Sequence, residues 1–464
     1  MEFCTEMLRK FALLIVVLLA VALAGLTFAP PESVRVAANY TAKMICSNLV
    51  LAGRDPAQVL ELDVQAPGHP LLSLMSFSVD ERGEHTVVRT GLFGFIGKGL
   101  AFGNNSRGCT TVSDPRLLGS AGSSASFSPA QVQLPDALWP VGNQVHLPIN
   151  FELDAVLNDQ ALAGEGMRAI VIVQHGKIIA ERYGPGFDAQ TPLLGWSMAK
   201  TVTAALIGAA VQEGLVELDA PVNFNKWRRD DRSAIRLYDL MGMASDLKWN
   251  EGYGTVSDVT RMLYLERDMA AFAAENTIDT DTPEPTGDIF QYSSGTTLLI
   301  SRYLQDAIGD EALATSFPAK ALFAPVGMAS AVLETDATGT FVGSSYMYAT
   351  ARDWARFGQF LLQRGVWNGR SILPPGYVDW MTDPHPASNN TYGRGQTWLK
   401  PPQEPPTAPQ SELPVGTFWA TGHDGQSLAV IPAHDLLIVR MGLTPSNLGY
   451  RPGPLAQAVI RAVN

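Results

Sequence analysis

Residues 193–208 read LLGWSMAKTVTAALIG, an apolar run that turns at Gly195, presents Ser197 and continues as a helix of small residues. Its one charged side chain is Lys200, three positions after the serine. Residues three apart on a helix share a face, with Cβ atoms about 5–6 Å apart, so the amine approaches the hydroxyl from the next turn. Ala199, Val202, Ala204, Ala205 and Leu206 surround that amine with apolar groups, and desolvation lowers a lysine pKa. A lysine so prepared can take the proton of a serine hydroxyl, which is a weak nucleophile until that proton leaves. The helix N-terminus adds positive potential and free backbone N–H groups.

A second Ser-x-x-Lys, SDLK at Ser245–Lys248, shows that spacing alone is not enough. It lies among turn residues in MGMASDLKWNEGYG, with no apolar helix to hold the pair in register. Its expected state is a solvated loop.

The chain has 464 residues, which suggests two domains. Its net charge of −12 argues against nucleic acid or anionic lipid as the main partner. In the first thirty residues Arg9 and Lys10 precede an uncharged stretch from Phe11 to Pro30, with Ala22-Leu23-Ala24 as a small-residue cleavage site. A cleaved secretory signal and an uncleaved inner-membrane anchor both fit this pattern. Either one exports the remainder to a periplasmic location, because the basic flank stays inside. Export places Cys46 and Cys109 in an oxidising compartment, which favours a disulfide between them over two separate buried thiols. The seven histidines form no H-x-H or H-E-x-x-H, and no glycine-rich phosphate loop is present. No metal and no cofactor is therefore expected.

Three regions follow: a leader over 1–30, an N-terminal module over 31–149 and a larger domain over 150–464. In the module, Asp55 and Pro56 open a helix, and residues 71–102 read as strand, turn at Glu81–Gly83, and strand. The small-residue stretch 118–140 reads as a linker. In the larger domain, 167–186 reads as a hairpin turning at His175-Gly176, and 427–443 as one turning near Pro432–Asp435. Thr350 and Asp353 start a helix that presents Trp354, Phe357, Phe360 and Leu361 on one face and ends at Gly365. Residues 399–414 form a proline-rich loop. The expected class is α+β: an antiparallel sheet closed by both ends of the larger domain, flanked by helices, with a helical subdomain and a small α+β module in front.

Several stretches in order resemble the serine β-lactamase and penicillin-binding-protein superfamily. GWSMAKTVTAALIGAAVQEGLVELDAPV is similar to its first motif region. The likeness is nearest to the class C branch with its esterase and amidase relatives, such as 6-aminohexanoate-dimer hydrolases. IRLYDLMGMASDL resembles that branch's ITIRHLLTHTSGL segment, FQYSSGTTLLISRYL its tyrosine motif, and YATARDWARFGQFLL its late helix. TGHDGQSLAVIP stands where the superfamily carries its Lys-Thr-Gly strand. The likeness covers most of residues 165–464 and implies the β-lactamase/transpeptidase-like fold. It implies Ser197 as the acylated nucleophile, Lys200 as its proton partner, and Tyr292 as a proton carrier towards the leaving group, either neutral or as a phenolate. It also implies an oxyanion hole from the backbone N–H groups of Ser197 and Gln426, with Gly425, His423 and Ser294 around the substrate and Gly425 giving it room against the strand edge.

Two departures bear on the substrate. Ser294 stands where asparagine is common, and His423 replaces a lysine that would pair with a substrate carboxylate. Both disfavour an efficient β-lactamase and suit a hydrolase of small esters, amides or peptide-like molecules. Alternatives are a penicillin-binding or β-lactam-sensing module with slow turnover, and an α/β-hydrolase with GWSMA as its elbow and His423 as its base. The N-terminal module is expected to dock on the domain or gate its substrate. The oligomeric state has no sequence signal.

Overall fold

Glu2–Phe28 (α1) and Glu32–Ala52 (α2) are consecutive helices in a computed structural model that describes residues 2–464 except 67, 84, 105–106, 113–132, 280–286, 288 and 402–412. The helix α2 explains the glycines of the strand that faces it. Met75–Arg82 (β1), His85–Leu92 (β2), Ile96–Asn104 (β3) and Gly108–Thr111 (β4) form an antiparallel sheet in sequential order. A Cβ at Gly97 would lie 2.4 Å from Val34 Cγ1, and one at Gly99 2.4 Å from the Ala38 backbone. Helix and strand therefore approach backbone to backbone, and a disulfide joins Cys46 of α2 to Cys109 of β4. Glu81 pairs with Thr86 and Arg82 with His85, so β1 runs on through two residues of the expected turn at Glu81–Gly83. The helix at Pro56–Val59 is capped by the Asp55 carboxylate on the Ala57 and Gln58 N–H groups.

Phe151–Asn158 (α3) opens the larger domain. Met167–Gln174 (β5) and Lys177–Tyr183 (β6) follow, then the two-residue strand Leu193–Leu194 (β7) and the helix Met198–Gln212 (α4). After the helix Ser294–Ile308 (α5) come Val332–Leu333 (β8), Met347–Ala349 (β9) and Ala351–Leu362 (α6). A small hairpin of Val366–Trp367 (β10) and Arg370–Ser371 (β11) precedes Phe418–Gly422 (β12), Gln426–Ile431 (β13), Leu436–Gly442 (β14) and Pro452–Val463 (α7). The main sheet runs β12-β13-β14-β5-β6, every pair antiparallel, so the last strands of the chain sit beside the first ones of the domain. This is the expected α+β arrangement, and among the described residues there is no parallel sheet of the kind an α/β-hydrolase elbow needs. α3 and α7 cover one face through Leu153, Leu157, Leu455 and Val459. α4 and α6 pack towards the other face, with Trp354, Phe357, Phe360 and Leu361 in the main core. The Thr350 hydroxyl accepts from the Asp353 N–H, but the Asp353 carboxylate turns to Ser330 and Arg356, leaving the capping box half formed.

The boundary near residue 150 does not divide the core. Val34, Ala38, Met44 and Val64 of the module belong to the same apolar cluster as Val171, Met198 and Trp354. Two buried ionic groups fasten the halves further. Asp63 accepts from Arg54 (2.9 Å) and from Arg168 of β5 (3.1 Å). Lys43 pairs with Glu334 next to β8, whose carboxylate also accepts from Ser47 (2.8 Å) and the Cys109 N–H (2.6 Å). Most of the linker and of the proline-rich loop falls on 113–132 and 402–412, outside the described residues; the described end of the linker docks on α6, where Arg356 donates to the Pro140 carbonyl at 2.9 Å. Among the described residues no helix is long and apolar enough to cross a membrane.

Removing one member of a buried ion pair leaves the other charge uncompensated, at a cost of about 3–5 kcal/mol. Lys43→Met is expected to lower the unfolding free energy by that amount, and Glu334→Gln added to it to restore part of the loss. Denaturant unfolding followed by tryptophan fluorescence measures both.

Candidate active site

Ser197 sits at the turn between β7 and α4, and the turn is tightly held. Trp196 adopts a left-handed φ of 48°, and a Cβ at Gly195 would fall 2.2 Å from the Trp354 ring. The Gly195 N–H donates to the Met347 carbonyl at 2.9 Å, pinning the turn to β9. Among the described residues no backbone carbonyl takes up the Ser197 N–H.

Lys200 is 1% exposed and its Nζ has three partners. They are Ser197 Oγ at 3.0 Å, Ser294 Oγ at 2.9 Å and the Ser344 carbonyl at 3.1 Å. Two of these can only accept. A carbonyl oxygen has no proton to give, and the Ser294 hydroxyl spends its proton on Glu251 Oε1 at 2.6 Å. A neutral amine keeps two N–H bonds and one lone pair. Those two bonds are committed, so the lone pair faces Ser197. Burial lowers the Lys200 pKa to about 8, with the Glu251 charge opposing the shift, so a sizeable neutral fraction exists near neutrality.

Tyr292 stands beside the same amine: Lys200 Nζ lies 4.7 Å from its ring centroid. Burial first, then the Glu251 charge, holds the phenol well above its ordinary pKa, so Tyr292 is a neutral phenol and not a phenolate. Trp398 and Tyr392 flank it at 5.2 and 6.0 Å between ring centroids.

Ser294 is fully buried at the first turn of α5, its hydroxyl turned to Lys200 and Glu251 and not to open space. There it supports the amine. The φ of Gly425 is +84°, and a Cβ there would meet Arg440 Nη1 at 2.8 Å and Tyr450 at 3.1 Å, so the missing side chain makes room behind the turn. The Gln426 side chain is buried and donates to the His423 and Gly442 carbonyls, leaving only its backbone for the site. His423 stacks on Tyr253 (4.4 Å), meets Trp196 edge-on (5.6 Å) and pairs with Asp424 at 3.3 Å. None of these contacts is with Ser197, as a triad base would require. The control pair Ser245–Lys248 lies in a loop that is not solvated as expected: Ser245, Asp246 and Leu247 are buried, and only Lys248 reaches solvent, where it pairs with Asp279 at 3.1 Å.

Glu251 is the residue that sequence reasoning missed. Its carboxylate accepts from the Ser294 N–H at 2.8 Å, at the positive end of α5. Tyr253 and Ser344 were missed as well. The first two stand in the loop after SDLK, where no spacing marks them, and the third acts through its carbonyl, which any residue could supply. A cavity of about 630 Å³ between β3–β4 and the 335–341 loop contains none of these groups.

Residues 160–453 match the family described as beta-lactamase. Over 309 residues the chain is 25% identical to the 6-aminohexanoate-dimer hydrolase of Paenarthrobacter ureafaciens, covering 60% of this chain and 72% of that protein. Two solved structures share the fold. A family VIII carboxylesterase has a TM-score of 0.53 at 13% identity, covering 69% of this chain and 99% of that one. A penicillin-binding protein homologue from Caulobacter crescentus has a TM-score of 0.51 at 14% identity, over 69% and 99%.

Glu251→Gln removes the charge that holds the Lys200 pKa up. The Lys200 titration is expected to move below about 8, read from the Cε resonance of ¹³C-lysine-labelled protein.

Proposed function

The chain belongs to the beta-lactamase family, and on that premise we propose that it is an exported serine hydrolase that acts on small esters or amides through an acyl-enzyme on Ser197. The observation that carries this reading is the Lys200 amine, whose one uncommitted position faces the Ser197 hydroxyl. Lys200 takes the hydroxyl proton as Ser197 Oγ attacks the substrate carbonyl. The backbone N–H groups of Ser197 and Gln426 receive the oxyanion. Collapse of the tetrahedral adduct expels the alcohol or amine, which takes a proton from the Tyr292 phenol, and Lys200 restores that proton. Water then repeats the sequence on the acyl-enzyme.

Glu251 and Asp424 border the site, and His423 stands in place of a lysine. That setting repels a substrate carboxylate and favours neutral or amine-bearing acyl groups. The likeness to a 6-aminohexanoate-dimer hydrolase supports the same class. The basic flank of the leader and the Cys46–Cys109 disulfide support export.

Short-chain p-nitrophenyl esters are expected to turn over, with nitrocefin hydrolysed far more slowly. Ser197→Ala should abolish ester turnover, and Lys200→Met should slow acylation by about 10²–10⁴-fold. Unchanged acylation in Lys200→Met contradicts the reading.

A further inference from the structure

Arg440 lies on β14 behind the His423–Gly425 turn and is 0% exposed. Its guanidinium donates to the Ala163 carbonyl (3.0 Å), the Gly425 carbonyl (3.0 Å), Thr444 Oγ1 (2.6 Å) and the Glu165 carbonyl (3.5 Å), and it lies 4.2 Å from the Tyr450 ring centroid. All these partners are neutral, and among the described residues no carboxylate pairs with it. Burial lowers its pKa to about 10, so the charge persists at neutral pH. An unpaired buried cation is costly, and carbonyl hydrogen bonds alone do not require one.

The neighbouring carbonyls are held from the same side. His423 O accepts from Gln426 Nε2 at 3.0 Å, and Asp424 O from the Thr444 N–H at 2.8 Å. In a trans peptide the N–H points opposite to the preceding carbonyl. The N–H groups of Asp424, Gly425 and Gln426 are therefore directed away from β14. Gly422 packs so closely on the Gly195 carbonyl that a Cβ would lie 2.2 Å from it, which sets the turn beside the Ser197 corner.

We propose that Arg440 is the positioning residue of the oxyanion hole: it fixes the Gly425–Gln426 peptide so that the Gln426 N–H faces the acyl oxygen, and its unneutralised charge strengthens that donor. The proposal rests on the acyl-enzyme reading of Ser197. A charged hydrogen bond to a carbonyl polarises the amide and makes its N–H a stronger donor. The benefit appears only when the acyl oxygen gains negative charge, so it belongs to the transition state and not to substrate binding.

The test uses the full-length protein with Arg440→Lys and Arg440→Met, p-nitrophenyl acetate as substrate and phenylboronic acid as the tetrahedral mimic. kcat is expected to fall about 10–100-fold, less than the roughly 10²–10³-fold loss of removing a donor outright. KM should stay within about twofold and boronic acid affinity should fall with kcat, while Lys200 still titrates near 8. A folded variant that keeps wild-type kcat and boronate affinity overturns the proposal, as does a change in KM alone. If the methionine variant does not fold, the lysine variant decides; if neither folds, Arg440 is structural and the proposal falls. A wild-type protein that forms no Ser197 adduct overturns the hydrolase reading itself, a result distinct from any difference between variants.

Discussion

A buried amine with two permanently occupied hydrogen-bond positions is the constraint around which the molecule is arranged. Ser344 O and Ser294 Oγ can only accept from Lys200, so its remaining position is committed to Ser197. Each of those two acceptors is held in turn. Ser294 starts α5 and is fixed by Glu251. Ser344 leads into β9, which also anchors the Gly195 corner through the Met347 carbonyl. One strand segment therefore positions both the Lys200 amine and the Ser197 corner.

The N-terminal module acts on that same segment. Glu334, paired with Lys43 and bonded to the Cys109 N–H, lies immediately after β8, and β8 pairs with β9. Lys43 Nζ also lies 4.2 Å from the ring centroid of Tyr346, directly before β9. The chain thus links a disulfide, a buried ion pair and a shared core to the backbone beneath the Lys200 amine. A role in bracing the site follows more directly from these contacts than one in gating substrate.

Much of this was legible because it depends on side-chain type at fixed spacing. The Ser197–Lys200 pair, the 350–362 helix and the terminal hairpins all have local signals, and the order of motifs gave the fold. What stayed hidden depends on partners far along the chain. α2 carries polar residues such as Asn39, Lys43, Ser47 and Asn48 on buried positions, so its helical stripe is blurred; Lys43 and Ser47 are satisfied by Glu334, nearly three hundred residues away. Gly425 reads as an edge glycine in sequence, and only the packing of Arg440 and Tyr450 behind it shows which side is crowded. Glu251 is one acidic residue in a turn-rich loop until folding brings it to the start of α5.

The central claim is that the neutral Lys200 amine removes the Ser197 proton, and the pH dependence of the acylation burst with a p-nitrophenyl ester tests it most directly. The burst rate is expected to climb with pH and level off above a midpoint of about 8, the Lys200 value, and to lose that midpoint in Lys200→Met. A burst whose midpoint lies near the about 6.5 of an ordinary histidine and survives that substitution would contradict it.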